Sequence, residues 1–247
     1  MLKHSHKLFS RQSLKNQKGF SLIEMAVVML ILGLLLSGLF VAIGDSSSNR
    51  RQSEARNQIE GIIEALYGFA QLEGRLPCPA TVASVGAEAP VNGVNCTSPH
   101  GFVPAVTLGL QGATDQNNLL MDPWGNPYRY SVFGNNYASA ASVDGIFASG
   151  AVNTGLCVAG AVSCGAPILT STAPAVVFSM GADYALSSSA LQNENANGVV
   201  TGYRMPGDNN FVVADYAEEG ANAFDDVLIW ISPNTLFSRM IAAGQLP

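Results

Sequence analysis

Between Phe20 and Ile43 the chain runs for 24 residues with one charged side chain, Glu24. A carboxylate there is chemically conspicuous. It costs up to about 2.5–3.5 kcal/mol at the centre of a bilayer and less near its edge, and an amine on a neighbouring chain would offset that cost. At about 1.5 Å per residue the run is long enough to cross a hydrocarbon core of about 30 Å as one helix. Lys3, Lys7, Arg11, Lys15 and Lys18 precede it with no acidic residue among them. Such a basic flank favours a cytoplasmic N-terminus and export of everything after the span.

The second set of reactive side chains is Cys78, Cys96, Cys157 and Cys164, all after the apolar run. An even count in an exported domain predicts two disulfides, with three possible connectivities. The local pairing, Cys78 with Cys96 and Cys157 with Cys164, is the simplest because each closes a short loop. Zinc is the competing chemistry, but the spacings do not fit paired CxxC ligands, and His100 is the only histidine outside the leader. Enzymatic sets are scarce. No G-x-S-x-G elbow surrounds a serine, no glycine-rich phosphate loop is present, and a triad would need the lone His100. We expect no enzyme.

Composition narrows the partners. Beyond the leader, residues 20–247 carry seven basic against eighteen acidic side chains. Nucleic-acid binding depends on neutralising phosphates, which an acidic exported body does not do.

Gly19-Phe20-Ser21-Leu22-Ile23-Glu24, between a basic leader and an apolar helix, resembles the processing site of type IV pilins and of the pseudopilins of type II secretion. The resemblance implies cleavage after Gly19 by a prepilin peptidase and N-methylation of Phe20. It also implies that Glu24 pairs with the terminus of the next subunit in a filament. An ordinary secretory signal cut near Ala42-Ile43-Gly44 competes, but its apolar region is usually about 7–15 residues and lacks a glutamate. A plain single-span anchor explains the length and not Glu24.

The elements that carry these residues follow from pattern. Ala55, Ile59, Ile62, Leu66 and Phe69 recur at helical spacing, and Gly74 and Pro77 stop the helix. Pilin-like proteins join such a stripe to the membrane segment as one spine, here residues 20–73. Residues 74–121 and 134–173 read as loops pinned by the cysteines. Asp122-Pro123-Trp124-Gly125-Asn126-Pro127-Tyr128 reads as a turn into a strand, with Asp122 accepting backbone N–H bonds and Trp124 plugging the space between helix and sheet. It resembles the corresponding turn of major pseudopilins. Further strands are expected at 174–180, 211–214 and 227–231, a polar insert at 187–210, and a last helix opened by Ser232-Pro233.

Phe178-Ser179-Met180-Gly181-Ala182-Asp183 resembles the turn that opens the calcium loop of major pseudopilins, and Asp225-Asp226 the residues that close it. The resemblance implies carboxylate ligands from Asp183 and Asp225 or Asp226, and a carbonyl from Met180, for Ca2+. Between Asp183 and Asp225, however, 41 residues intervene. The competing reading is of solvated turn aspartates.

The expected fold is therefore α+β and pilin-like, a long N-terminal helix on an antiparallel sheet with long loops. Its divisions are a leader at 1–19, a transmembrane or filament-core half-helix at 20–43, an amphipathic half at 44–73 and an exported β-rich domain at 74–247. The expected role is that of a minor pilin or pseudopilin in the inner membrane of a Gram-negative bacterium, moving from there to a periplasmic or surface filament. Its partners would be other subunits, the prepilin peptidase and the assembly platform. A membrane-anchored adhesin using the stapled loops is the alternative.

Overall fold

A computed structural model describes residues 21–90, 95–150, 155–184, 189–200, 202–217 and 220–247, apart from the side chains of 36–46 and 200. The chain divides into two compact units, residues 1–47 and 48–247.

Helix α1 (Leu22–Glu73) is 52 residues long. In the first unit its described side chains, up to Leu35, are all exposed. Among the described residues no helix is long and apolar enough to cross a membrane. The described apolar stretch, Leu22–Leu35, falls short of the ~20 residues a span needs, and the rest of the expected span, 36–43, lies outside the described side chains.

In the second unit α1 turns amphipathic. Ala55, Ile59, Ile62, Leu66 and Ala70 are buried while Arg56, Glu60 and Glu64 face solvent, the stripe that a 3.6-residue period requires. Gly74, at φ +68°, ends it by donating its N–H to the Ala70 carbonyl.

The remaining elements follow in order. They are β1 (His100–Phe102), α2 (Ala105–Leu108), β2 (Arg129–Val132), α3 (Gly134–Ala138), α4 (Ala140–Ser149), β3 (Leu156–Ala161) and β4 (Gly165–Ala173). Then come β5 (Ala175–Ser179), α5 (Ala190–Glu194), β6 (Gly198–Val200), β7 (Tyr203–Met205), β8 (Asn210–Val212), β9 (Val227–Trp230) and α6 (Pro233–Ala242). One four-stranded antiparallel sheet has the order β1-β2-β5-β9. A three-stranded sheet, β4-β3-β8, is mixed, because β8 runs parallel to β3. The expectation of a purely antiparallel body is corrected by that one pair.

The second unit is layered. β2 and β5 are buried along their whole length, so both faces of the central sheet must be covered. On one face Tyr130, Val132, Ala175 and Val177 share a cluster with the α1 stripe and with Leu236, Phe237 and Met240 of α6. On the other, Val176 and Phe178 pack with Leu156, Val158 and Phe211 of the smaller sheet. Phe178 meets Phe211 edge-on at 5.8 Å between centroids. Residues 134–173, expected as loop, hold α3, α4, β3 and β4. Built largely of small residues, they give weak periodicity and find their structure through packing. The polar insert likewise contains α5, β6 and β7.

Candidate functional site

Glu24 lies in the first turn of α1, where Glu24 and Met25 donate their N–H groups to the Ser21 carbonyl at 3.0 and 3.2 Å. A carboxylate there meets the positive end of the helix dipole. It is exposed, and Leu22, Ile23, Met25, Val27 and Val28 around it are exposed too. Among the described residues no cation forms an ion pair with it. The arrangement is one acceptor of positive charge on an apolar rod. Gly19 and Phe20, the residues expected at the processing point, lie outside the described residues.

A second candidate is the turn after β5. Gly181 sits at φ +63°, and a Cβ there would overlap the Asp225 carboxylate, so only glycine fits. Its N–H reaches Ser179 Oγ and its carbonyl accepts Asn126 Nδ2 at 2.8 Å. Asp122 locks the same corner by accepting the N–H groups of Trp124 and Asn126 and the hydroxyl of Ser179. Trp124 is half-buried and lines a cavity of about 310 Å³ together with Ser48 of α1, Asp183, Tyr216 and Asp225. Tyr128 makes a further contact with the helix, through its hydroxyl to Gln58 Oε1 at 2.7 Å.

The fold does bring Asp183 and Asp225 together. Gln192 Nε2 donates to Asp183 Oδ1 at 2.9 Å and to Asp225 Oδ1 at 2.7 Å. The N–H of Ala182 donates to Asp225 Oδ2 at 2.5 Å. Asp226 is directed elsewhere, accepting from Asn195 Nδ2 at 2.7 Å. Calcium needs about six to eight oxygens around it. Here N–H donors occupy the Asp225 carboxylate, and among the described residues no group of three or more His, Cys, Asp and Glu could hold a metal ion. Of the carboxylates expected to bind calcium, Asp183 and Asp225 meet at Gln192, and Asp226 is held separately by Asn195.

Electrostatics agree with that geometry. Burial pushes Asp225 up to about 6, opposed by the Ala182 N–H and reinforced by Asp183. Burial pushes Asp226 up to about 8, with Asn195 pulling the other way. Gln192 and Asn195, on and just after α5, are the functional neighbours that sequence reading missed. A polar insert gives no periodic signal that would place two amides opposite two aspartates roughly 30 residues away. Arg129 was missed as well. Fully buried on β2, it stacks 4.8 Å from the Phe102 ring and donates to the Pro127 and Arg204 carbonyls.

All four cysteines are paired locally, Cys78 with Cys96 and Cys157 with Cys164. Beside the first bridge, Arg75 and Glu88 form a buried two-pronged ion pair, both contacts at 2.9 Å.

Compared with known proteins, residues 14–40 match the prokaryotic N-terminal methylation motif. The match spans only the N-terminal segment and supports a likeness to the type IV pilins and pseudopilins. It covers part of the basic flank, Gly19, Phe20, Glu24 and most of the apolar run. No curated protein sequence and no solved structure matches the chain.

Proposed function

We propose that the chain is a structural subunit, of the minor pilin or pseudopilin kind, of a type IV pilus or a type II secretion filament. It is made as a single-span protein of a Gram-negative inner membrane, with its N-terminus in the cytoplasm and its body in the periplasm. The prepilin peptidase cuts after Gly19, Phe20 is N-methylated, and the assembly platform moves the subunit into the filament. Glu24 then pairs with the terminal amine of an adjacent subunit. One observation carries this reading: the methylation motif over residues 14–40, with Glu24 the lone charge at the head of an apolar helix. The body's long inserts suit a minor subunit.

Glu24→Ala is the direct test, read by fractionation of membranes and sheared filaments. We expect normal membrane insertion and roughly a tenfold or greater loss of filament incorporation, since the unpaired amine then has no counter-charge. Normal incorporation would sink the pairing account. Mass spectrometry of the N-terminal peptide checks processing separately, with methylated Phe20 as the expected start.

One feature favours an adhesive role alongside. The β3–β4 hairpin exposes Val162, Ile168 and Leu169 and carries no charge. If the hairpin binds a surface, its deletion abolishes attachment while filaments still form.

A further inference from the structure

From Asn57 onward the chain has fifteen acidic residues and only four basic ones, all arginines. Each of those four is committed within the fold. Arg75 is paired with Glu88, and Arg239 with Glu64 at 2.6 Å. Arg204 donates to Asn193 Oδ1 and the Ala196 carbonyl. Arg129 is buried against the Phe102 and Tyr203 rings. Just upstream, Arg56 is paired with Glu60 on its own helix. Arg50 and Arg51 remain. Both are exposed on α1 at the start of the second unit, and among the described residues neither has an ion-pair partner. Among the described residues, a strongly acidic chain thus leaves two adjacent cations without an ion pair. Meanwhile Glu73, Asp144, Asp208 and Asp215 stand exposed, with no paired cation among the described residues.

We infer that Arg50 and Arg51 form a docking site for the acidic body of a second copy of this chain. This rests on the filament reading above and adds to it that copies of this chain stand next to one another in the filament. Like-charged bodies repel unless a cation is placed between them, and among the described residues these two arginines are the ones available. The surroundings suit a protein partner better than lipid. Arg50 borders a shallow hollow of about 520 Å³ lined by Ser53, Glu54, Asn57 and Gln58. The hydroxyl of Ser53 and the amides of Asn57 and Gln58 can donate hydrogen bonds to the carboxylates of an acidic loop seated beside the arginines.

The sequence supplies its own probe. All four lysines, Lys3, Lys7, Lys15 and Lys18, lie in the leader, so a chain cut after Gly19 has none. A full-length copy carrying Arg50→Lys and Arg51→Lys keeps the charge and, once cut, has lysine amines at those two positions alone. It is co-produced with an unsubstituted, differently tagged copy and treated in membranes with a carbodiimide, which joins an amine to a touching carboxylate without a spacer.

The expected result is a covalent adduct bearing both tags, roughly tenfold or more above that from two unsubstituted copies. It should be lost in about 1 M salt, where screening acts within about 3 Å. Fragment mapping should join one of the two introduced amines, at position 50 or 51, to an acidic residue of the other copy. Adducts only within one copy, only with another protein, or absent altogether would overturn the inference. So would loss of binding to anionic vesicles in an Arg50→Gln, Arg51→Gln variant that still forms the two-copy contact. N-terminal mass spectrometry of the same samples separates the two failures: an uncut leader overturns the filament reading, whereas correct processing without the adduct overturns only this contact.

Discussion

Glu88 is buried and Asp226 half-buried, and the fold satisfies the two carboxylates by different means. Glu88 sits next to the first disulfide, held by both terminal nitrogens of Arg75 and by the N–H of Cys78. Asp226, at the base of β9, is held by the amide of Asn195, as Asp225 is by Gln192. The first region neutralises its buried acid with a cation; the second surrounds its acids with neutral donors. A cation makes an acid permanently charged and the partners mutually dependent. Amides stabilise either protonation state, so the second region keeps groups that burial has moved toward neutral pH.

The contrast breaks most sharply at Glu88. Glu88→Gln leaves the Arg75 guanidinium buried without an anion, and losing one partner of such a pair costs about 3–5 kcal/mol. Urea unfolding of the full chain in micelles, followed by circular dichroism, reads this directly. A loss below about 1 kcal/mol, the range of an exposed pair, would mean that water reaches Arg75 and that the two regions are alike.

The disulfides sharpen the same contrast. The bridge between Cys78 and Cys96 spans a sequence separation of 18, and that between Cys157 and Cys164 a separation of 7. Removing the first releases a loop worth about 3 kcal/mol of chain entropy, and removing the second about 2 kcal/mol. Cys78 is fully buried in the main core, whereas Val162 and Ser163 at the tip of the second ring are exposed. Paired Cys→Ala variants, compared by the same unfolding measurement, should therefore differ by more than the loop lengths alone give. Equal losses would place both loops at the periphery.

Legibility in the sequence follows the range of the determining interactions. The α1 stripe, the turn at 122–128, β5, β9 and the Ser232-Pro233 helix start were readable because period, proline and glycine act over a few residues. The helix stop at Gly74 was readable for the same reason. β3 and β4 were not, since Gly-, Ala- and Ser-rich strands acquire their order from packing on Phe178 and Phe211. The meeting of Asp183 with Asp225 was legible only through a resemblance. Its holder Gln192 was illegible, because a five-residue helix in a polar insert announces neither its existence nor its facing.

The last expected effect, spread over several pH units, is the one that tests what amide-held acids do. Asp225 and Asp226 have folded values of about 6 and about 8, above the ordinary 3.8. The folded state therefore binds protons that the unfolded chain has already released. The stability they contribute is fully present below pH about 4 and is lost as pH rises through about 6 and then about 8. One group gives a slope of at most about 1.4 kcal/mol per pH unit. Asp226→Asn keeps an oxygen for Asn195 Nδ2 and carries no titrating proton. Unfolding free energies measured between pH ~5 and ~8.5 should fall for the wild type across the whole range, and for the variant chiefly below pH ~7. The variant should also be the more stable of the two at the alkaline end, because the wild type must by then either hold a charge in a half-buried site or open the α5 contact to hydrate it. Parallel curves would show that Asp226 is solvated in the folded state, and the difference between the two acidic regions would then lie in Asp225 alone.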